Sequence, residues 1–298
     1  MLKGELRWRP IALLVLLSLI WGINMAAIKI AGREMAPLFM AGVRSLVASL
    51  CLLAWMRLTG QAVFPSRAVT LHGLVVGLIF GLEFAMIYLG LGRTLASRTY
   101  VLVYSAPFFV ALGAHFWIPG DRLGPSKVAG LALAFLGVAV LLLRDMGALS
   151  GGSLAGDAMA LLGGVLWGAT TLYIKRYLVG RAGALQVLFY QLLFSAPLLF
   201  GMSLLWEDRW VAGFAWPTAL SLFYQCIVVA FLSYLAWFQL VNSYPVSLLH
   251  AFSFFTPVFG VFISGAIMLG EPLGPRLLLS LGLVCLGMAL VNRAPAKA

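Results

Sequence analysis

Apolar residues fill this chain in long runs, broken by brief punctuation of charge, proline and glycine. Between those breaks the runs fall near 10–31, 37–57, 70–91, 95–117, 125–143, 155–176, 184–205, 217–241, 247–269 and 275–292. Each is close to the roughly 20 residues that an α-helix needs to cross a bilayer. The pattern predicts an all-α integral membrane protein with ten transmembrane helices. Connections are short. The longest, around 144–154, holds Ser150-Gly151-Gly152-Ser153 and reads as a flexible seam between two halves, 1–147 and 148–298.

Composition agrees with the pattern. Hydrophobic residues make up 63% of the 298, charged residues only 10%, and mean hydropathy is +1.04. A water-soluble domain carries about 25% charged residues, so no soluble domain is expected. The basic start (Lys3, Arg7, Arg9) has no early small-residue cleavage site and leads into a run long enough to stay as a signal anchor. Cys51, Cys226 and Cys285 each lie within an apolar run, far apart, and read as packing residues rather than a disulfide framework or metal knuckle.

The net charge of +11 could suggest a nucleic-acid partner, but the basic residues gather at helix ends, where membrane topology explains them better. With the N-terminus inside, 12 Lys and Arg fall on the cytoplasmic side and 6 on the outer side, with Lys29 near the outer end of the first helix and Arg44 within a span. Both termini are therefore expected in the cytoplasm. Glu34, Asp145, Asp157, Glu207, Asp208 and Glu271 fall outside.

The two halves repeat one another. Trp21-Gly22 is followed by Lys29, and Trp167-Gly168 by Lys175, 146 residues later. Pro107 precedes Asp121 and Leu123-Gly124-Pro125; Pro257 precedes Glu271 and Leu273-Gly274-Pro275, 150 residues later. Five helices per copy is an odd number, so the second copy enters the membrane from the opposite face. The expected architecture is two inverted five-helix repeats around a central cavity, an arrangement suited to alternating access. A duplication retained only for stability is the plainer alternative.

With these doubled motifs the chain resembles the drug/metabolite transporter superfamily, and within it the EamA-type branch, over its whole length. Within that branch it is similar to bacterial exporters of aromatic amino acids. The resemblance implies a basket of ten helices in the bacterial cytoplasmic (inner) membrane, with the fifth and tenth helices peripheral.

The repeat also points to cavity residues. Tyr100 and His250 are mates, as are Tyr104 and Phe254, 150 residues apart. Each pair stands at i and i+4 on one helix face, continued by Pro107 or Pro257. Each proline releases the carbonyl four residues earlier, on Val103 and Ser253, which could receive an ammonium group. The alternative is that Pro107 and Pro257 only kink or hinge their helices. Trp21 and Trp167 lie near the centres of their helices, where an indole N–H needs a partner, and Asn24 follows Trp21 by almost one turn. Glu83 is the carboxylate interior to a span and Arg44 the intramembrane guanidinium, at similar depth on adjacent helices. Three readings stay open for them: a structural bridge, recognition of a zwitterion's amino and carboxylate groups, and proton coupling. Gly73, Gly77 and Gly81 read as a close-packing ridge. Lys29 and Lys175 could attract anionic cargo, but as end-of-helix residues they read as snorkelling to headgroups, and His72 and His115 as interfacial. Gln191, Tyr224, Gln225, Tyr234 and Trp237 are further lining candidates.

The function expected is a secondary transporter exporting small amphipathic metabolites, foremost aromatic or large neutral amino acids. A multidrug or other metabolite exporter of the same fold is the alternative. A membrane-embedded enzyme is remote, because the three His are dispersed and Glu83 is solitary. Phosphorylated cargo would call for a cluster of intramembrane Lys and Arg. No cofactor and no metal site are expected. The partners are a small-molecule solute and membrane lipid, not nucleic acid, with the chain acting as monomer or homodimer.

Overall fold

The computed structural model describes residues 8–118, 123–143, 151–243, 252 and 255–291, and these are helical apart from short links. The helices are α1 (Trp8–Ala31), α2 (Pro37–Leu58), α3 (Arg67–Leu91), α4 (Ala96–Val103), α5 (Ala106–Trp117), α6 (Pro125–Leu143), α7 (Gly151–Tyr177) and α8 (Ala184–Trp206). They continue as α9 (Trp216–Phe223), α10 (Tyr234–Ser243), α11 (Phe255–Phe259) and α12 (Pro275–Val291). Two π-helical stretches, Tyr224–Ser233 and Gly260–Met268, extend α9 and α11. Among the described residues seven helices are long and apolar enough to cross a membrane, and three apolar helices are shorter. Of the expected seam, Gly151, Gly152 and Ser153 belong to α7, and 144–150 lie outside the described residues.

Proline chemistry sets several boundaries. In both copies of Leu-Gly-Pro, the proline opens a helix: Pro125 starts α6 and Pro275 starts α12. A first-turn proline loses no intrahelical bond, because that N–H would have no partner. The preceding glycine carbonyls accept the first bonds, from Val128 and Leu278. Pro107 has a larger effect. It divides the fourth apolar run at Tyr104-Ser105, separating α4 from α5. The carbonyls freed there are covered by protein: Ser105 Oγ donates to Leu102 O, and Gly164 lies so close that a Cβ would sit 3.0 Å from the Leu102 and Val103 oxygens.

Small residues let these helices touch. Along α3, Gly73 receives Tyr190, Gly77 receives Phe194 and Gly81 receives Leu198, so the glycine ridge is the seat of α8, as expected. Two further contacts appear twice. A Cβ at Gly22 would lie 2.7 Å from Phe259 Cβ, and one at Gly168 would lie 2.9 Å from Phe109 Cβ. Likewise Gly137 packs on Ser280, and Gly287 on Gly130. In each case the second contact joins residues 146 or 150 positions from those of the first, with the halves exchanged.

Helix packing follows the same exchange. α1 packs on the π stretches of both later helices, while α7 packs on α3, α4 and α5; α2 faces α8, and α6 faces α12. Outward faces carry Leu16, Leu50, Leu78, Phe135, Leu204 and Leu286 exposed, as a lipid-facing surface would. Trp8, Trp55, Trp117, Trp206 and Trp216 stand at helix ends, the positions of an interfacial belt.

The carboxylates at the α1 C-terminal end have a local purpose. Glu207 accepts from the Leu38 and Phe39 amides at the start of α2, at 2.7 and 3.0 Å. Glu271 does the same for Ala96 and Ser97 at the start of α4, at 2.7 and 2.8 Å. Glu34 accepts from the Ala215 amide before α9 and from the Thr218 hydroxyl. Each anion satisfies orphan amides at the positive end of a helix dipole. The Thr218 and Ala215 bonds hold the Glu34 carboxyl below the usual carboxylate range. Lys29 does not snorkel: its Nζ lies 3.3 Å from Glu271 Oε1, joining α1 to the same cap.

Candidate functional site

Two buried arginines, each near a carboxylate, differ in how fully they are satisfied. Arg98, with Asp157, is the complete one. Arg98 Nε donates to both Asp157 oxygens at 3.1 Å, Nη2 donates to Asp157 Oδ2 and to Leu141 O, and the Thr94 hydroxyl donates to Asp157 Oδ1 at 2.6 Å. This pair fixes the start of α4 to the start of α7.

Arg44 is the incomplete one. Its side chain is 1% exposed, yet Nε and Nη1 have no hydrogen-bond partner. The guanidinium lies over the Phe84 ring, 4.2 Å from its centroid, an attraction that needs no anion. Glu83 is also buried and forms no ion pair with it; its one polar contact is the Thr170 hydroxyl at 3.4 Å. The two groups are within electrostatic reach of each other, and Arg44 also reaches Tyr88, Cys226 and Tyr234. The bridge considered from sequence is therefore not formed, and two of the guanidinium nitrogens stay without a partner.

Aromatic rings gather around the two tryptophans. Trp21 packs against Tyr234 and Trp237, with centroids 6.0 and 5.6 Å apart, and its indole N–H donates to Ser233 Oγ at 2.8 Å. Trp167 meets Tyr104 edge-on at 5.4 Å. Tyr234 lies within electrostatic reach of Tyr104, of Arg44 and of Glu83. On α1, one turn from Trp21, Asn24 has a buried Oδ1 without a partner.

Tyr100 is placed differently. Its hydroxyl shares its one proton between the Trp21 and Gly22 carbonyls and accepts from the Met25 amide at 3.0 Å, so it is held on the α1 backbone. Gly260 lies against its ring, where a Cβ would be 2.3 Å from Cδ2. Tyr224 similarly donates to Ile20 O at 2.7 Å. Three successive carbonyls in mid-α1 thus accept from phenols, next to the two π stretches. His250, Ser253 and Phe254 lie outside the described residues; Pro257 is buried in α11.

Sequence reasoning passed over Thr170, although the offset of 146 that pairs Trp21 with Trp167 also pairs Asn24 with Thr170. Phe84 and Ser233 carry no comparable signal. Among the described residues no cluster of three or more His, Cys, Asp or Glu could hold a metal ion.

A cavity of about 410 Å³ opens at the α1 C-terminal end. Met40 and Tyr88 form its inner lining, and Tyr88 donates to Gln225 Oε1 at 2.7 Å while Gln225 Nε2 lies 3.7 Å from Met40 Sδ. Arg44 is one helical turn beyond Met40 on α2.

Apolar spans packed through glycine ridges, with a buried and unsatisfied guanidinium against an aromatic ring, define a multi-pass membrane protein. The chain belongs to the EamA-like transporter family, which matches residues 8–143 and again 154–293. It is a transporter-family protein of the drug/metabolite type, not an enzyme. It is 29% identical over 294 residues to the uncharacterized transporter YvbV of Bacillus subtilis, covering 95% of this chain and 92% of that one. It is 28% identical over 276 residues to a probable amino-acid metabolite efflux pump of Escherichia coli, covering 88% and 87%. The inner membrane transporter YedA of Escherichia coli is 26% identical over 280 residues, covering 93% and 88%. A protein solved by crystallography, 19% identical, shares the fold with a TM-score of 0.64 over 94% of this chain and 96% of that one.

Proposed function

We propose that this protein is a secondary carrier of the bacterial inner membrane that exports small amphipathic metabolites, foremost amino acids with aromatic or large neutral side chains. The observation that carries the reading is the buried Arg44 guanidinium, with two donor nitrogens unpartnered, the Phe84 ring against its face, and Glu83 and Tyr234 within electrostatic reach. A zwitterion suits this arrangement. Its carboxylate satisfies Arg44, its ammonium satisfies Glu83 and Asn24 Oδ1, and its apolar side chain lies among the rings. The name of the efflux pump in Escherichia coli is compatible with such a cargo.

In this reading residues 1–147 and 148–298 form two inverted five-helix repeats, both termini are cytoplasmic, and exchange of conformation between the repeats gives alternating access. The doubled contacts Gly22–Phe259 and Gly168–Phe109 support it, because a twofold relation between the halves carries one contact onto the other. Pro107 and Pro257 then serve as hinges at equivalent places.

The test is counterflow in proteoliposomes loaded with L-tryptophan. External L-phenylalanine, L-leucine, ethidium and glucose 6-phosphate are offered as competitors. Competition by the two amino acids, lost in Arg44→Met, is expected. Competition by ethidium alone favours a multidrug carrier, and no exchange of any amino acid refutes the cargo proposed.

A further inference from the structure

We infer that the cavity at the α1 C-terminal end is a second solute site, selective for the carboxylate end of an amphipathic anion and separate from the chamber that the function proposed above places at Arg44 and Glu83. Its volume of about 410 Å³ lies within the range of small-molecule pockets, about 300–1,000 Å³. Ile28, Leu91, Leu95 and Leu269 supply apolar wall. Lys29 and Arg33 both line it, four residues apart on α1 and the turn that follows.

The charge balance selects the ligand. Glu271 is the carboxylate of the lining, and both its oxygens are already engaged by the Ala96 and Ser97 amides. Lys29 is shared with it at 3.3 Å and keeps 26% of its side chain exposed. Arg33 is exposed and forms no ion pair among the described residues. Two cations against one engaged anion leave the cavity positive, with a free guanidinium at its rim and a greasy interior. A carboxylate bound to a flat apolar group fits both features.

The floor separates this site from the chamber. Tyr88, Gln225 and Met40 form one layer drawn from α3, the π stretch Tyr224–Ser233 and α2, and Arg44 begins one turn further in. A solute crossing that layer passes from one buried guanidinium to a pair of more exposed cations. In naming a carboxylate this rests on the function proposed above.

Titration calorimetry of the full chain in lipid nanodiscs with indole-3-acetate tests it. Two binding phases are expected. The cavity phase weakens as salt rises from about 0.01 M to about 1 M, because the screening length falls from about 30 Å to about 3 Å. The chamber phase, shielded from salt, persists. Arg33→Glu weakens the cavity phase about tenfold and spares the other, whereas Arg44→Met removes the chamber phase and spares the cavity. Lys29→Gln also cuts the Glu271 pair, so Arg33→Glu carries the decision. A single phase, or two phases indifferent to Arg33→Glu and to salt, overturns the second site. If Arg44→Met leaves binding and counterflow intact while Arg33→Glu removes one phase, the reading of the chamber fails and the cavity site stands.

Discussion

Arg98 and Arg44 are both buried guanidiniums in the first half of the chain, each near one buried carboxylate, and the protein treats them in opposite ways. Arg98 is bidentate to Asp157, which also receives Thr94, while a spare N–H reaches a backbone carbonyl. Arg44 has an aromatic face and a carboxylate held out of contact. Burying a charge costs several kcal/mol unless it is paired and hydrogen-bonded. A fold that completes one arginine and leaves the other open has tolerated that cost at the second for something other than stability. The Arg98 pair is a fastener; in the function proposed above, the Arg44 pair is the receptor for the solute.

The sharpest way to break this contrast is at the fastener. Asp157→Asn leaves the Arg98 charge buried without its anion, and about 3–5 kcal/mol of stability should be lost. Thermal unfolding in detergent measures it. A double change, Arg98→Met with Asp157→Leu, should be milder than the single one, since it leaves no charge unpaired. If the single change is silent, the pair holds nothing together.

Arg44→Met should act in the reverse sense. Little bonding is there to lose, so stability stays within about 1 kcal/mol of the parent or rises. Counterflow should fall at least about tenfold, because a charge-assisted bond to a carboxylate contributes about 1.5–3 kcal/mol. Loss of folded protein in step with loss of transport would make Arg44 a second fastener.

Glu83→Gln divides the receptor. The amide keeps the shape and a bond to Thr170, but cannot neutralise an ammonium group. Exchange of L-tryptophan should drop severalfold while binding of indole-3-acetate, which has no ammonium, is unchanged. Equal loss of both would assign Glu83 to holding Arg44 rather than to the solute.

The contrast was half legible in the sequence. Trp21, Asn24, Arg44, Glu83 and Trp167 stand out because charges and amides are rare in apolar runs and because the repeat doubles the tryptophans. What completes them did not show. The carboxylate partner of Arg98 lies on α7, 59 residues away, and the amide partners of Glu207 on α2, 168 and 169 residues away, so the acids read only as a sidedness of charge. The glycine of Trp-Gly was visible as a motif, but its reason, the approach of Phe259 or Phe109, needs the opposite half in place. The π stretches had no signal either. Helices apolar on every side have no periodicity to betray a change of register.

Glu34 calibrates the scale from the exposed end. Its carboxylate caps α9 from the link between α1 and α2, and the Thr218 and Ala215 bonds lower its pKa from the usual 4.5. A group whose folded pKa is depressed stabilises the fold fully above its unfolded value and loses that contribution as pH falls through the folded one. Glu34→Gln should therefore lower the melting temperature slightly at neutral pH, and the gap between variant and parent should close as pH drops below about 4.5 toward the folded pKa. The effect should be well under that of Asp157→Asn, because solvent screens an exposed anion and water can replace it at the helix end. A gap that persists undiminished in acid would mean that Glu34 holds α9 by shape and hydrogen bonding alone, with its charge contributing nothing.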